Sequence, residues 1–598
     1  MGTADVPKGI NISDNFRAYY VFPSAAYISF PDTGGYITYV STDDSTDDGT
    51  AASRERGWVI HYARLGTSYA TIPHYLGPIP PTRLDLNIPD QLDWPPQLWD
   101  KLGARDSVHV VGTRINSLGI SRHLVEGLEC WSSRTKDFDR VYLEQPFGST
   151  LFLRSLTVSP ADMEFEIRPN KTFSLPGVLL SAQELQVMWG FDAKTMPPTI
   201  SYTKLRYERQ LANQAILVSL LPEGGCEGDR QQLVFKSSRV SPCTVYHEIK
   251  VRLSMCPLRT IVESPKFLVT TDVPGAEPQQ RVCGFLTRYY ENGTLADALT
   301  SLRDTGRLAL KQQLGWARDL VSSLIHIQNS PARFYSDLRL DQLVLDANLD
   351  GSTTAVLLDL EQGRNIYNWA PPEIYYLEWI AELGYWEFAR TDQLPGDVMT
   401  KYRAILEHYF DARGYSTPLH RMGLKYDNPP HGWYWPWLHS SPQEQEAGMV
   451  YMLGKALWCI FEGIGDADIV LGLSSTSDGG QRFPEFIRTP PALQVLIRAC
   501  TQGAREWIDG PIKIYRRGGR IFPLGKTGRN GEEEGTAEET VATIKDFWLN
   551  EMHKAEAFVA ARIRYVNKEA TEDDLKLLPY LRRPTLKDVW TTLDDFLA

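Results

Sequence analysis

Residues 334–346 read Phe-Tyr-Ser-Asp-Leu-Arg-Leu-Asp-Gln-Leu-Val-Leu-Asp, and ten residues later Val356-Leu-Leu-Asp-Leu-Glu361 forms an apolar run that ends in acids. Asp337 and Asp359 therefore sit at loop or strand ends, 22 residues apart. Phosphoryl transfer needs such a pair: one carboxylate orients the attacking hydroxyl, and another holds the Mg²⁺ that neutralises the phosphates. Upstream, Gln232-Leu-Val-Phe-Lys236 reads as a short strand ending in a cation, and Thr244–Met255 has the spacing of a helix carrying Glu248. Lys236 and Glu248 could pair and position ATP phosphates. Any one of these charges alone is an ordinary surface or loop residue. Four in this order, on these elements, make a constellation.

Around it the pattern is strands first, then long helices. Lys204–Gln210 and Ala215–Leu221 suit a hairpin, Val282–Tyr289 another strand, and Asn292-Gly293 a turn. Lys311–Gln328 puts Leu314, Ala317, Leu320, Val321, Leu324 and Ile325 on one helical face. Residues 1–190 form a β-rich region of unknown fold, with strand-like stretches at Ala18–Phe22, Tyr36–Val40, Val108–Val111, Arg140–Leu143, Leu151–Leu156 and Met163–Ile167. Ser41–Arg56 is polar and aperiodic and reads as a loop. The histidines of the front region, His61, His74, His109 and His123, are scattered and suggest no ligand set.

The chain has 598 residues, 62 Lys and Arg against 74 Asp and Glu, and a net charge of −12. That balance argues against nucleic acid as a partner. No apolar run is long enough to span a bilayer. The start lacks the apolar stretch of a signal peptide. The seven cysteines show no CxxC pair and read as reduced thiols. The expected location is the cytoplasm, with the nucleus left open.

Taken together, these segments resemble the protein-kinase superfamily, and more narrowly the divergent kinase-like proteins of filamentous fungi. The resemblance covers about residues 200–598. It implies an α+β, bilobal fold, with a small lobe at about 200–290 and a large lobe at about 291–598, the latter carrying insertions at about 374–447 and 504–578. It also implies ATP and Mg²⁺ as cofactors and a protein substrate or partner. Lys236 is similar to the phosphate-binding lysine, Glu248 to its partner, Asp337 to the catalytic aspartate and Arg339 to the phosphate-side lysine. Thr287 falls at the gatekeeper, with the backbone of Arg288, Tyr289 and Tyr290 facing adenine. Asp359 matches the metal-binding aspartate, and Gln342 stands where a second metal ligand, asparagine, is usual. Trp369-Ala-Pro-Pro-Glu373 is similar to the close of the activation segment, Tyr451–Trp458 to the buried central helix, and Arg583 to the arginine that pairs with that glutamate.

The chain departs from the pattern in several places. No glycine-rich phosphate loop lies between Tyr202 and Leu221, Ser336 replaces an arginine, Asp-Leu-Glu replaces Asp-Phe-Gly, and Met449 replaces a bracing aspartate. Three functions stay open on these grounds: a serine/threonine-type protein kinase, a pseudokinase scaffold, and a small-molecule kinase of the aminoglycoside or choline type. Two further stretches invite a functional reading. His431-Gly-Trp-Tyr-Trp-Pro-Trp-Leu438 either packs on the large lobe or offers a partner surface, and Tyr515–Arg520 reads as a solvated basic loop that could take an anion. A long helix is expected over Thr536–Val566.

Overall fold

Two large sheets, two smaller ones and a helical body make up the described residues of the computed structural model. It describes residues 119–597 except 174, 213, 221–230, 239–240, 274–278, 366–368, 386–395, 416–421, 468–482, 508–513, 518–519 and 524–536; before residue 119 it describes only 10–11, 57–64, 69–76, 85–88 and 95–98. The stretches Ala18–Phe22, Tyr36–Val40, Ser41–Arg56 and Val108–Val111 thus lie outside the described residues.

The first sheet comprises β1 (Gly57–Arg64), β2 (Tyr69–Leu76), β3 (Asp85–Ile88), β4 (Thr150–Ser155) and β5 (Glu164–Arg168), in that order. All neighbours are antiparallel except β3 and β4. The described part of the connection across the parallel step includes α1 (Gly119–Arg134) and α2 (Phe138–Leu143). Arg140–Leu143 is therefore helix, not strand. Val-Tyr-Leu favours a strand locally, but Phe138 and Tyr142, four apart, bury one helical face. α1 was unexpected in a β-rich region. Its Leu124, Leu128 and Trp131 recur at helical spacing, and Trp131 packs edge-on to Phe138 at 5.2 Å and against Phe165 of β5 at 5.6 Å.

The second sheet has six strands: β6 (Thr199–Ser201), β7 (Leu205–Ala212), β8 (Ala215–Leu220), β9 (Gln232–Ser237), β10 (Phe267–Val273) and β11 (Gln279–Arg288), ordered β6-β10-β11-β9-β8-β7. Alternation along β9 decides what each face carries. Leu233 and Phe235 face a core with Leu205, Val218 and Leu286, whereas Lys236, opposite Phe285 on β11, faces the other side. That side is covered by α4 (Cys243–Ser254), following α3 (Ala182–Trp189) in chain order; Val245, Tyr246 and Ile249 of α4 pack on Leu268, Val282 and Phe285. Residues on the far side of the expected 190–200 boundary share both cores. Phe147, Phe173 and Leu179 join one, and Leu180, Leu185 and Trp189 join the other.

The helical body begins with α5 (Leu295–Asp304) and α6 (Leu310–Gln328), then the hairpin of β12 (Leu343–Ala347) and β13 (Thr353–Leu357). α7 (Pro372–Gly384) and α8 (Gly396–Ala412) follow. At the centre lies α9 (Pro442–Glu462), capped by a reciprocal Ser441–Glu444 box and buried on all sides from Ala447 to Glu462. A helix that is apolar all round belongs inside a core, and α9 organises this one. α10 (Pro491–Cys500), α11 (Ala537–Val566) and α12 (Leu586–Leu597) complete the body.

The two expected insertions fold onto each other. Leu377, Trp379 and Ile380 of α7 share a core with Leu406 and Tyr409 of α8 and with Ala555, Phe558 and Val559 of α11. The described residues of the basic stretch are strand rather than loop: Tyr515–Arg517 and Arg520 belong to the antiparallel pair Ile514–Arg517 and Arg520–Pro523. The aromatic tract packs inward: Trp437 is fully buried and stacks on Phe334 at 5.2 Å, and Trp435 is buried as well. Among the described residues, no helix is long and apolar enough to cross a membrane.

Candidate active site

The sheet, α4 and the β12–β13 hairpin deliver their polar side chains to one place. Lys236 Nζ lies 2.6 Å from Glu248 Oε2 and 2.5 Å from Asp359 Oδ1. Burial opposes the ammonium, but Asp359, Glu248 and Glu361 together raise its pKa, so it stays charged. One turn further along α4, Arg252 shares Glu248 at 3.4 Å and donates to Thr287 Oγ1 at 2.6 Å and to the Glu263 carbonyl. The pair Glu248 and Arg252 has the i,i+4 spacing of helical ion pairs, a signal in the sequence that went unread.

The residues expected to face adenine are occupied at their side chains by neighbours. Arg288 pairs with Asp346 at 2.6 Å and lies over the Tyr290 ring at 4.8 Å, while Tyr289 Oη accepts from Arg209 at 2.9 Å. Their backbones remain the expected contact.

Asp337 lies in the coil before β12. Arg339 donates to both its carboxylate oxygens, at 3.1 and 3.3 Å, and to Asp341 at 3.0 Å. The loop is stitched to the segment after β13: Tyr335 Oη donates to the Leu358 carbonyl at 2.7 Å, and Ser336 Oγ to that of Gly363 at 2.8 Å. Gln342 joins the same two segments through its backbone, its carbonyl accepting from the Leu358 N–H at 2.8 Å. Asp359 itself has φ +56°, a left-handed conformation that costs a non-glycine residue about 1–3 kcal/mol and persists only where its surroundings hold it.

Glu361, two residues on, completes a carboxylate group that was not assigned from sequence. Glu248, Asp359 and Glu361 each place an oxygen within 4.8 Å of the others'. Burial, then the neighbouring Asp359, pushes the Glu361 pKa up, with Lys236 opposing. Two oxygens on one Mg²⁺ lie at most about 4.2 Å apart, twice its usual bond length. The 4.8 Å spread is wider than that limit, so what fits a hard divalent cation here is the all-oxygen chemistry of the donors rather than their present spacing.

Asp337 has its pKa pushed up to about 7, first by burial and then by Asp359, against the pull of Arg339. A carboxyl raised in the folded state contributes stability that is full below its unfolded value and is lost as pH rises through about 7. In nucleotide-free protein, Asp337→Asn should flatten the fall in thermal stability between about pH 4 and pH 7. An unchanged slope in the variant would show that Asp337 does not titrate there.

One expected element is replaced outright. β7 and β8 join through two residues, Asn213 and Gln214, with Ala212 paired to Ala215 and Ala215 paired to Lys236. The hairpin ends level with the lysine, and the Gln214 carbonyl accepts from the Ser237 N–H at 2.9 Å. It does not project past Lys236.

Farther away, Glu373 at the start of α7 and Arg583 form a buried two-pronged ion pair, the second prong 3.1 Å long. Arg583 also donates to the carbonyls of Ala447 at 3.0 Å and Gln502 at 2.8 Å.

The chain matches no protein-family model and no curated protein.

Proposed function

We propose that the chain is a protein-kinase-like phosphotransferase, with the six-stranded sheet and α4 as small lobe and the body around α9 as large lobe. The observation that carries this reading is the contact of Lys236 with Glu248 and Asp359 together, three groups drawn from three separate elements. Asp337 orients a serine or threonine hydroxyl of a protein substrate and takes its proton. Lys236, braced by Glu248, holds ATP phosphates, and Arg339 offers a guanidinium beside the transferring group. Asp359, with Glu361 or Gln342, would hold Mg²⁺, which when bound would supply charge neutralisation at the phosphates. Thr287 and the backbone of Arg288 to Tyr290 line the adenine end. The buried Glu373–Arg583 pair favours a protein kinase over a small-molecule kinase, because that pair belongs to the protein-kinase large lobe in the resemblance.

A second reading is a scaffold that transfers no phosphate. The short β7–β8 hairpin favours it, since among the described residues that hairpin does not project past Lys236 to cover a nucleotide's phosphates. Calorimetry of the full chain with ATP, with and without Mg²⁺, separates the two. Magnesium-dependent binding supports the phosphotransferase; no binding up to millimolar ATP leaves the scaffold.

A further inference from the structure

Three parts of the site meet at a residue that touches none of its reacting groups. Gln362, buried and with φ +53°, lies three residues past Asp359. Its Nε2 donates to the carbonyls of Ala332 at 2.8 Å and Phe334 at 3.1 Å, just before the Asp337 loop. Its Oε1 accepts from His247 Nε2 at 2.9 Å, and His247 is the α4 residue next to Glu248. Every hydrogen-bonding group of the amide is used, each on a different strut of the site. His247 is fully buried, and burial pushes its pKa down to about 4, so the ring is neutral with its proton on the nitrogen that faces Gln362.

From outside, residues 422–434 run along α4 as a strap. Cys243 Sγ reaches the Gly423 carbonyl at 3.6 Å, and Lys250 Nζ donates to that of Pro429 at 2.9 Å. The Tyr426 ring meets Tyr246 edge-on at 5.5 Å, and Trp433 meets His247 at 5.5 Å. Positions 243, 246, 247 and 250 are one helical face. The sheet takes the Val245–Ile249 face, so α4 is held from two sides. Gly432, at φ +78°, closes the junction: a Cβ there would stand 3.2 Å from the Gln362 carbonyl oxygen and 3.5 Å from His247 Nε2.

We infer that Gln362 and His247 form a positioning joint, closed by the strap 422–434, that keeps Glu248 on Lys236 and Asp359 in register with the Asp337 loop. The strap that docks α4 thus belongs to the same chain. The function of the joint rests on the phosphotransferase reading, but its mechanical part does not.

The test compares full-length wild type, His247→Leu and His247→Gln. Glutamine restores an N–H near the imidazole Nε2 position; leucine fills space only. The readouts are backbone hydrogen exchange in α4 and calorimetric Mg-ATP affinity. His247→Leu should speed α4 exchange by about tenfold or more and weaken Mg-ATP binding by a similar factor, with exchange in α9 unchanged. His247→Gln should return both near wild type. Unchanged α4 exchange in His247→Leu, or no recovery in His247→Gln, overturns the joint. If α4 exchange responds as expected but wild type binds no Mg-ATP, the joint stands and the phosphotransferase reading falls. Should His247→Leu lose α9 protection too, Trp433→Ala, at a half-buried position, replaces it: faster α4 exchange supports the strap, and wild-type exchange overturns it.

Discussion

Arg583→Ala is expected to lower the stability of the folded chain by roughly 3–5 kcal/mol, the usual result of removing one partner of a buried ion pair. Neither side chain of the pair is exposed, and the guanidinium also satisfies the Ala447 and Gln502 carbonyls and lies over the Tyr451 ring at 4.7 Å. Alanine leaves Glu373 charged in an apolar surrounding and strips two carbonyls of a donor. Glu373→Gln should be milder, since an amide still offers one oxygen to Arg583. The double variant Glu373→Ala/Arg583→Ala should recover part of the loss, because no lone charge remains buried. Urea unfolding followed by tryptophan fluorescence measures all of these. A loss below about 1 kcal/mol in Arg583→Ala would mean that the pair is no clamp.

Asp359→Ala is expected to remove the difference between ATP binding with and without Mg²⁺, a fall of at least about 100-fold in the magnesium-dependent part. The Mg²⁺-free affinity should stay level or rise. Asp359 is both a candidate cation ligand and a negative charge 2.5 Å from the lysine that would hold phosphates. Removing it abolishes the first role and relieves the second, leaving Lys236 with Glu248 alone at 2.6 Å. A general collapse of the site would instead weaken binding in both conditions. Isothermal calorimetry with and without Mg²⁺ distinguishes these patterns. Persistence of the magnesium effect in Asp359→Ala would overturn the assignment of this carboxylate to the cation.

Much of the second sheet and the helical body was legible, because local pattern and environment agree there. The β7–β8 hairpin, β9, α4, α6 and α11 fall within a few residues of their expected bounds, and the pairs Lys236–Glu248 and Glu373–Arg583 form. What was missed depends on residues far apart in the chain. The amide of Gln362 looks like any loop glutamine until the chain returns His247, 115 positions away. The aromatic tract was ambiguous because the same rings serve a core or a partner; Phe334, far upstream, decides for the core. Helix α2 was misread because the β-propensity of Val-Tyr-Leu is weak beside the burial of Phe138 and Tyr142. Glu361 was visible as a strand-end acid, but nothing local says that Glu248 lies within reach of it.

The Glu373–Arg583 pair also sets a clock on biosynthesis. Its members are 210 positions apart, which at ribosomal speed is roughly 10–40 s of translation. Throughout that interval the nascent chain already carries Lys236, Glu248, Asp337 and Asp359, yet α7 has a carboxylate with no guanidinium to receive it. Early burial of Glu373 is therefore disfavoured, and α7 stays available to chaperones and proteases after those four residues have left the ribosome. Chains arrested short of Arg583 should be cut by protease within 372–384, whereas chains arrested beyond it resist. Equal resistance of both would show that the helical body closes before its ion pair.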